Sequence, residues 1–177
     1  MNLREEILAE HSKTQTNKII AWVGSSQKRF DELVNLFLND EYRVTQRAGW
    51  PLSYIAAAHP QLVKKHMQVL VETLHKEKIH NAVKRNIVRF LQEVPIPENL
   101  HGEVMDICFS FVTDVNEAIA VKAFSLSILE KLAKIYPEIN HELLVVIEER
   151  WDYETAAFHS RARKIIKKIN KSTASKL

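Results

Sequence analysis

Glycine is almost missing from this chain, with three among 177 residues. Glycine supplies the positive-φ positions of hairpin turns and the close backbone approach of phosphate-binding loops, so three leave little for either. Cysteine is rarer, with Cys108 alone. One thiol excludes an internal disulfide framework, and a thiolate zinc site is not expected without a cysteine pair. Long apolar runs are absent too: stretches such as Ile19–Val23 and Leu143–Ile147 reach five residues, against about twenty for a bilayer span. The N-terminus, MNLREEILAEHSK, is polar and mixed in charge, unlike a secretory signal, so a cytoplasmic location is expected. Sustained period-2 alternation bounded by turn residues is also lacking, and no strand is expected. An all-α protein remains.

Charge is nearly balanced, 25 Lys+Arg against 22 Asp+Glu, but unevenly placed. From Thr155 onward there are seven basic residues and no acidic one, so the preceding 154 residues carry a net charge of −4. Phosphate recognition favours a continuous positive track, and an acidic body with a basic end provides a weaker one. The plainer reading is a last helix whose lysines complement the dipole at its C-terminal end.

Hydrophobic spacing predicts a succession of helices. Residues 1–11 form a short one, and Ser12–Gln15 is a polar break. Residues 16–24 form another that stops at Gly24, with Ser25 or Ser26 capping the next. A helix from Glu41 to Ala58 is expected to bend at Pro51. Pro60 suits the first turn of a helix reaching Lys76. Asn81–Val94 is stopped by Pro95 and Pro97, and Glu98–Val112 follows. Glu117–Tyr136 is expected to be the longest helix, Pro137 restarts the chain to Trp151, and Thr155–Lys171 closes it. A single domain over 1–177 is expected, with residues 172–177 frayed.

The helices come in pairs that repeat every 38 residues. On the first helix of each pair, Leu33, Val71, Phe109 and Ile147 align; on the second, Leu52, Phe90, Ile128 and Ile166 do. Val44, Ala82, Ala120 and Phe158 follow the same step, and Asp40, Lys78, Asn116 and Glu154 all fall between the helices of their pair. One pair cannot hide its own apolar stripes, so neighbouring pairs must stack and share a core.

The segments Asp40–Leu52 (DEYRVTQRAGWPL), His80–Leu91 (HNAVKRNIVRFL) and Asn116–Leu129 (NEAIAVKAFSLSIL) resemble second helices of HEAT-like repeats. A polar cap precedes an apolar-basic step, kept at Val83-Lys84 and Val121-Lys122, while Thr45-Gln46 and His159-Ser160 depart from it. The resemblance implies a right-handed α-α superhelix, a HEAT-like solenoid of about four helix pairs over 26–171, with 1–25 as N-terminal capping helices. The chain also resembles short bacterial HEAT-like proteins sometimes labelled adenylosuccinate lyase. Of the flexible loop of that lyase superfamily, which resembles G-S-S-x-M-P-x-K-x-N, only Gly24-Ser25-Ser26 matches.

Candidate chemistry is sparse. His141-Glu142 opens like the zinc motif H-E-x-x-H, but the second imidazole is absent, and no metal or cofactor is expected. Cys108 lies among Met105, Ile107, Phe109 and Phe111 and reads as a buried structural thiol. No serine sits in a nucleophile turn, so the chain is not expected to be an enzyme. Trp50, just before Pro51, reads as packing, and Trp151, at a helix end, as more open.

One constellation suggests binding. Arg47, Arg85 and Arg161 are related by the repeat step, with Ala123 the exception, and Arg43, Arg89 and Lys122 lie on the same set of second helices. Second helices normally line the inner face of a solenoid. A cationic ladder there suits an acidic peptide or a phosphate backbone. The alternative is that these cations pair with acids of the neighbouring repeat, where Asp40, Asp114, Glu117 and Glu154 are available. The expected function is a non-catalytic interaction module, monomeric or weakly dimeric, that binds a protein or peptide and no membrane. Nucleic-acid binding is the second reading, similar to the HEAT-like DNA glycosylases, although their catalytic aspartate and aromatic positions match no residue here. A lyase is the remote third.

Overall fold

The computed structural model describes residues 1–76 and 79–174. Lys78, one of the aligned breaks, and residues 175–177 of the expected frayed tail lie outside the described residues. Among the described residues all regular structure is helical. Two helices, α1 (Leu3–Ala9) and α2 (Lys13–Val23), precede four pairs. The pairs are α3 (Gln27–Asn39) with α4 (Tyr42–Ala58), α5 (Pro60–Val63) and α6 (Met67–Thr73) with α7 (Asn81–Leu91), α8 (His101–Thr113) with α9 (Ile119–Ala133), and α10 (Asn140–Arg150) with α11 (Ala156–Ala174). The all-α, paired architecture expected from the 38-residue period is the one observed.

Local chemistry sets the boundaries. The Ser12 hydroxyl accepts from the Gln15 amide at 3.1 Å, so the expected break at Ser12–Gln15 is instead a cap that opens α2 three residues early. Gly24, at φ +51°, ends that helix with its amide on the Ile20 carbonyl at 2.8 Å. Pro60 starts α5, but the helix expected to reach Lys76 tightens into a 3₁₀ turn at Lys64–His66 before resuming as α6. Asp31 of α3 gathers that turn. It accepts from Lys65 Nζ and lies against His66 Nε2, both at 2.6 Å, while the Gln27 amide donates to Asp31 and to the Leu62 carbonyl. The side chains of α3 therefore supply partners where the regular ladder is broken.

At the C-terminal end the longest helix is α11 with 19 residues, not α9 with 15. Ser172–Ala174, expected to fray, continue α11. A run of cations in its second half suits the negative end of its dipole.

The chain forms two compact units, Met1–Leu100 and His101–Leu177. In the first, α4 is the hub, packed against α1, α2, α3, α5 and α7. In the second, α9 packs on α8 and α11, and α10 contacts α8 and α11. Second helices thus lie on second helices within each unit, α7 on α4 and α11 on α9. The repeat step picks out the core: Leu33, Val71, Ile147, Leu52, Phe90 and Ile128 are buried. Phe109 and Ile166 are half-buried instead. Each fully buried large side chain contributes about 1.5–3 kcal/mol.

Gly49 shows how closely α4 and α7 approach. A Cβ at that position would lie 2.2 Å from Nδ2 of Asn86 and 2.4 Å from its Cγ. Asn86 is only 1% exposed, and its Nδ2 has no hydrogen-bond partner among the described residues. The glycine makes room for the asparagine. Gly49→Ala should therefore cost about 1–3 kcal/mol in urea unfolding. Adding Asn86→Ala should recover part of that loss, because the overlapping atoms are gone.

Asp31 makes a second prediction. Burial pushes its carboxyl up, but the bonds from Lys65, Gln27 and His66 outweigh this and hold it at about 2, below the ordinary 3.8. A carboxyl depressed by folding contributes its stability above the unfolded value and loses it as pH falls through the folded one. The stability gap between wild type and Asp31→Asn should be full at neutral pH and close between pH 3.8 and about 2. Urea unfolding across that range measures it.

Candidate interaction surface

The six cations of the expected ladder divide by environment. Arg43 on α4 and Arg85 on α7 are exposed and have no partner among the described residues. Arg47 is half-buried, and its guanidinium donates to the Leu8 carbonyl at 2.8 Å, closing the C-terminal end of α1. Arg89, also half-buried, lies 5.9 Å from the Tyr54 ring centroid and so joins α7 to α4. In the second unit Arg161 donates to the Ser127 hydroxyl and covers the Phe124 ring at 5.6 Å.

Lys122 is not a surface group. Its Nζ meets Glu154 Oε1 at 2.6 Å, with both side chains 4% exposed. The guanidinium of Arg150 shares the same oxygen at 2.9 Å. Glu154 lies between α10 and α11, so a cation of α9 is held by the break of the following pair. This corrects the placement of Lys122 on a ligand-facing row. Asp40, the equivalent acid of the first pair, accepts instead from Arg4 of α1 at 2.9 Å. The Arg4 hydrogen bond keeps the Asp40 carboxyl below its ordinary range and raises the guanidinium above its own.

The first unit gathers what remains. Arg43, Arg47, Trp50 and Tyr54 recur at helical spacing along α4, and Arg85 and Arg89 stand one turn apart on α7, which packs against it. Tyr54 is 51% exposed and Trp50 36%. Trp50 is therefore more open than the packing residue expected; its ring is tilted against His11 with centroids 5.1 Å apart. The Tyr42 ring lies tilted against that of His80, with centroids 4.0 Å apart. The sequence reading missed Tyr42 and Tyr54, although their spacing from Arg43 and Trp50 was available to it. Guanidiniums beside open rings can hold carboxylates or phosphates while the rings cover apolar or planar groups.

Other candidates take structural places. Cys108 is buried, and desolvation drives its thiol up to about 12, with the Ser125 hydroxyl pulling weakly the other way. Such a thiol stays protonated and unreactive. His141 is exposed, and among the described residues no group of three or more His, Cys, Asp or Glu is placed to hold a metal ion. Trp151 is half-buried, stacked on His159 at 4.4 Å, with the Arg163 guanidinium 5.5 Å from its ring centroid. No helix among the described residues is long and apolar enough to cross a membrane.

The buried Lys122–Glu154–Arg150 cluster generates a stability prediction. Lys122→Met leaves a desolvated carboxylate with one cation and should cost about 3 kcal/mol in urea unfolding. Glu154→Gln added to it should cost less than the two single losses together, since the unpaired charge is then removed.

The sequence pattern of the HEAT repeat domain matches residues 3–169. No curated protein and no solved structure matches the chain. That match runs through all four helix pairs and the two helices before them, and this chain belongs to the HEAT repeat family.

Proposed function

We propose that this chain is a non-catalytic protein-interaction module that takes an acidic segment of a partner on the exposed face of α4 and α7. HEAT repeats generally serve as interaction scaffolds, which supports the coarse reading. The observation that carries the finer one is that Arg43 and Arg85 are exposed and without partners among the described residues, on the same two packed helices that carry the exposed Tyr54 and Trp50. Two free guanidiniums offer forked donors to carboxylates, and the rings offer apolar cover between them. Arg47 and Arg89 stiffen the face by binding the Leu8 carbonyl and the Tyr54 ring. They hold the platform, and Arg43 and Arg85 meet the ligand.

The alternation of guanidiniums with open rings also suits a single-stranded nucleic acid, and this is the second reading. The charge count favours peptide. Few phosphates can be met by two free arginines, and the 154 residues before Thr155 carry net negative charge. Fluorescence anisotropy with labelled acidic, aromatic-containing peptides and with labelled oligonucleotides separates the readings. Peptide affinity should fall at least about tenfold in Arg43→Glu/Arg85→Glu, with the helical circular dichroism unchanged. Oligonucleotide binding with a steep salt slope and no peptide binding would select the second reading. Equal peptide binding by wild type and double variant would remove the proposed face.

A further inference from the structure

A separate surface lies wholly in the second unit. Between α10 and α11 runs a groove of about 550 Å³, lined by Leu144, Ile147, Trp151 and Ile166. One wall carries Glu148 of α10 and Asp152 of the 3₁₀ turn Trp151–Tyr153 that follows it. On the α11 side, Arg163 reaches over the Trp151 ring, and Lys167 follows one turn on, next to Ile166. All four charged groups are exposed, and none has an ion pair among the described residues. The groove is therefore apolar along its floor, acidic on one flank and basic on the other, and the flanks do not neutralise each other.

From this arrangement we infer that a second copy of the chain docks on the α10–α11 face. A purely acidic partner would meet Glu148 and Asp152, and a purely basic one would meet Arg163 and Lys167. The fitting occupant has an apolar seam with both charges in the opposite order. A two-fold axis along the groove presents that surface, because it sets the acidic flank of each copy against the basic flank of the other. Leu144, Ile166 and Trp151, half-buried here, then become covered.

Size fixes the strength. α10 is ~16 Å long and a face two helices wide spans ~20 Å, so the face buries roughly 300 Å² per copy and about 600 Å² in total, which is small and in the range of weak association. The dimer is therefore transient and salt-sensitive, with charge order choosing the partner more than area does.

Sedimentation of the full chain tests this. At low salt the apparent mass should rise from 20.5 kDa towards twice that value as concentration increases, and should return to the monomer at about 0.5 M salt. Glu148→Lys/Asp152→Lys makes the face wholly basic, and Arg163→Glu/Lys167→Glu makes it wholly acidic. Each should stay monomeric with unchanged helical circular dichroism, and an equimolar mixture of the two should associate again. A wild type that remains at 20.5 kDa at the highest concentration, variants that associate as the wild type does, or a mixture that stays monomeric would each overturn the proposal.

Discussion

The structure depends on second helices packing against second helices. A helix pair has more apolar surface than its own two members can hide, and α4–α7 and α9–α11 are where the excess goes. Leu52 and Phe90 meet this need in the first unit, and Ile128 does in the second. At Gly49 the approach is so close that Asn86 occupies the volume of the missing side chain. A polar residue whose amide nitrogen has no hydrogen-bond partner among the described residues is retained at that point, so the backbone separation is set by fit and not by hydrogen bonding. One of only three glycines in the chain is used there.

Once helices stack this way, charges on their edges have two environments. A cation near the break between the helices of a neighbouring pair is enclosed, and it needs a carboxylate. Lys122 meets this condition with Glu154, and Arg150 completes the site. Other cations of the same second helices stay in water. Arg43 and Arg85 are in that position, and Arg47 and Arg89 lie between the two cases, held by a helix-end carbonyl and an aromatic ring. The ladder visible in the sequence is thus three kinds of residue. Only its exposed members, Arg43 and Arg85, are without a partner among the described residues, which is why the proposed function rests on them.

How much of this could be read from the sequence follows from the same division. Apolar periodicity reports burial, and burial decides the helices, so the all-α fold and the pairs were legible from Leu33, Val71 and Leu52 onward. Helix ends were less legible, because they depend on partners distant in sequence. The tight turn at Lys64–His66 follows from Asp31 and Gln27, more than thirty residues earlier. Cys108 was legible because a thiol among apolar neighbours has one plausible environment. The cations were not, since arginine and lysine spacing is the same for a residue in water and one against a carboxylate. Trp50 misled for a related reason: preceding a proline in a helix says nothing of which way the indole points.

The same reasoning bears on how one short chain can present two unlike surfaces. On α4 and α7 the acids near the ladder are already engaged: Asp40 by Arg4, with Glu41 beside the same guanidinium. What is left exposed there is cationic and aromatic, which favours a partner of opposite charge. Along the α10–α11 groove, Glu148, Asp152, Arg163 and Lys167 have no ion pair among the described residues, so the exposed surface there is both acidic and basic around an apolar floor. A face of single sign selects a different molecule, whereas a face carrying both signs in order is complementary to itself. On these two proposals, it is which acids the fold engages internally that turns one helix face towards a foreign partner and the other towards another copy of the chain.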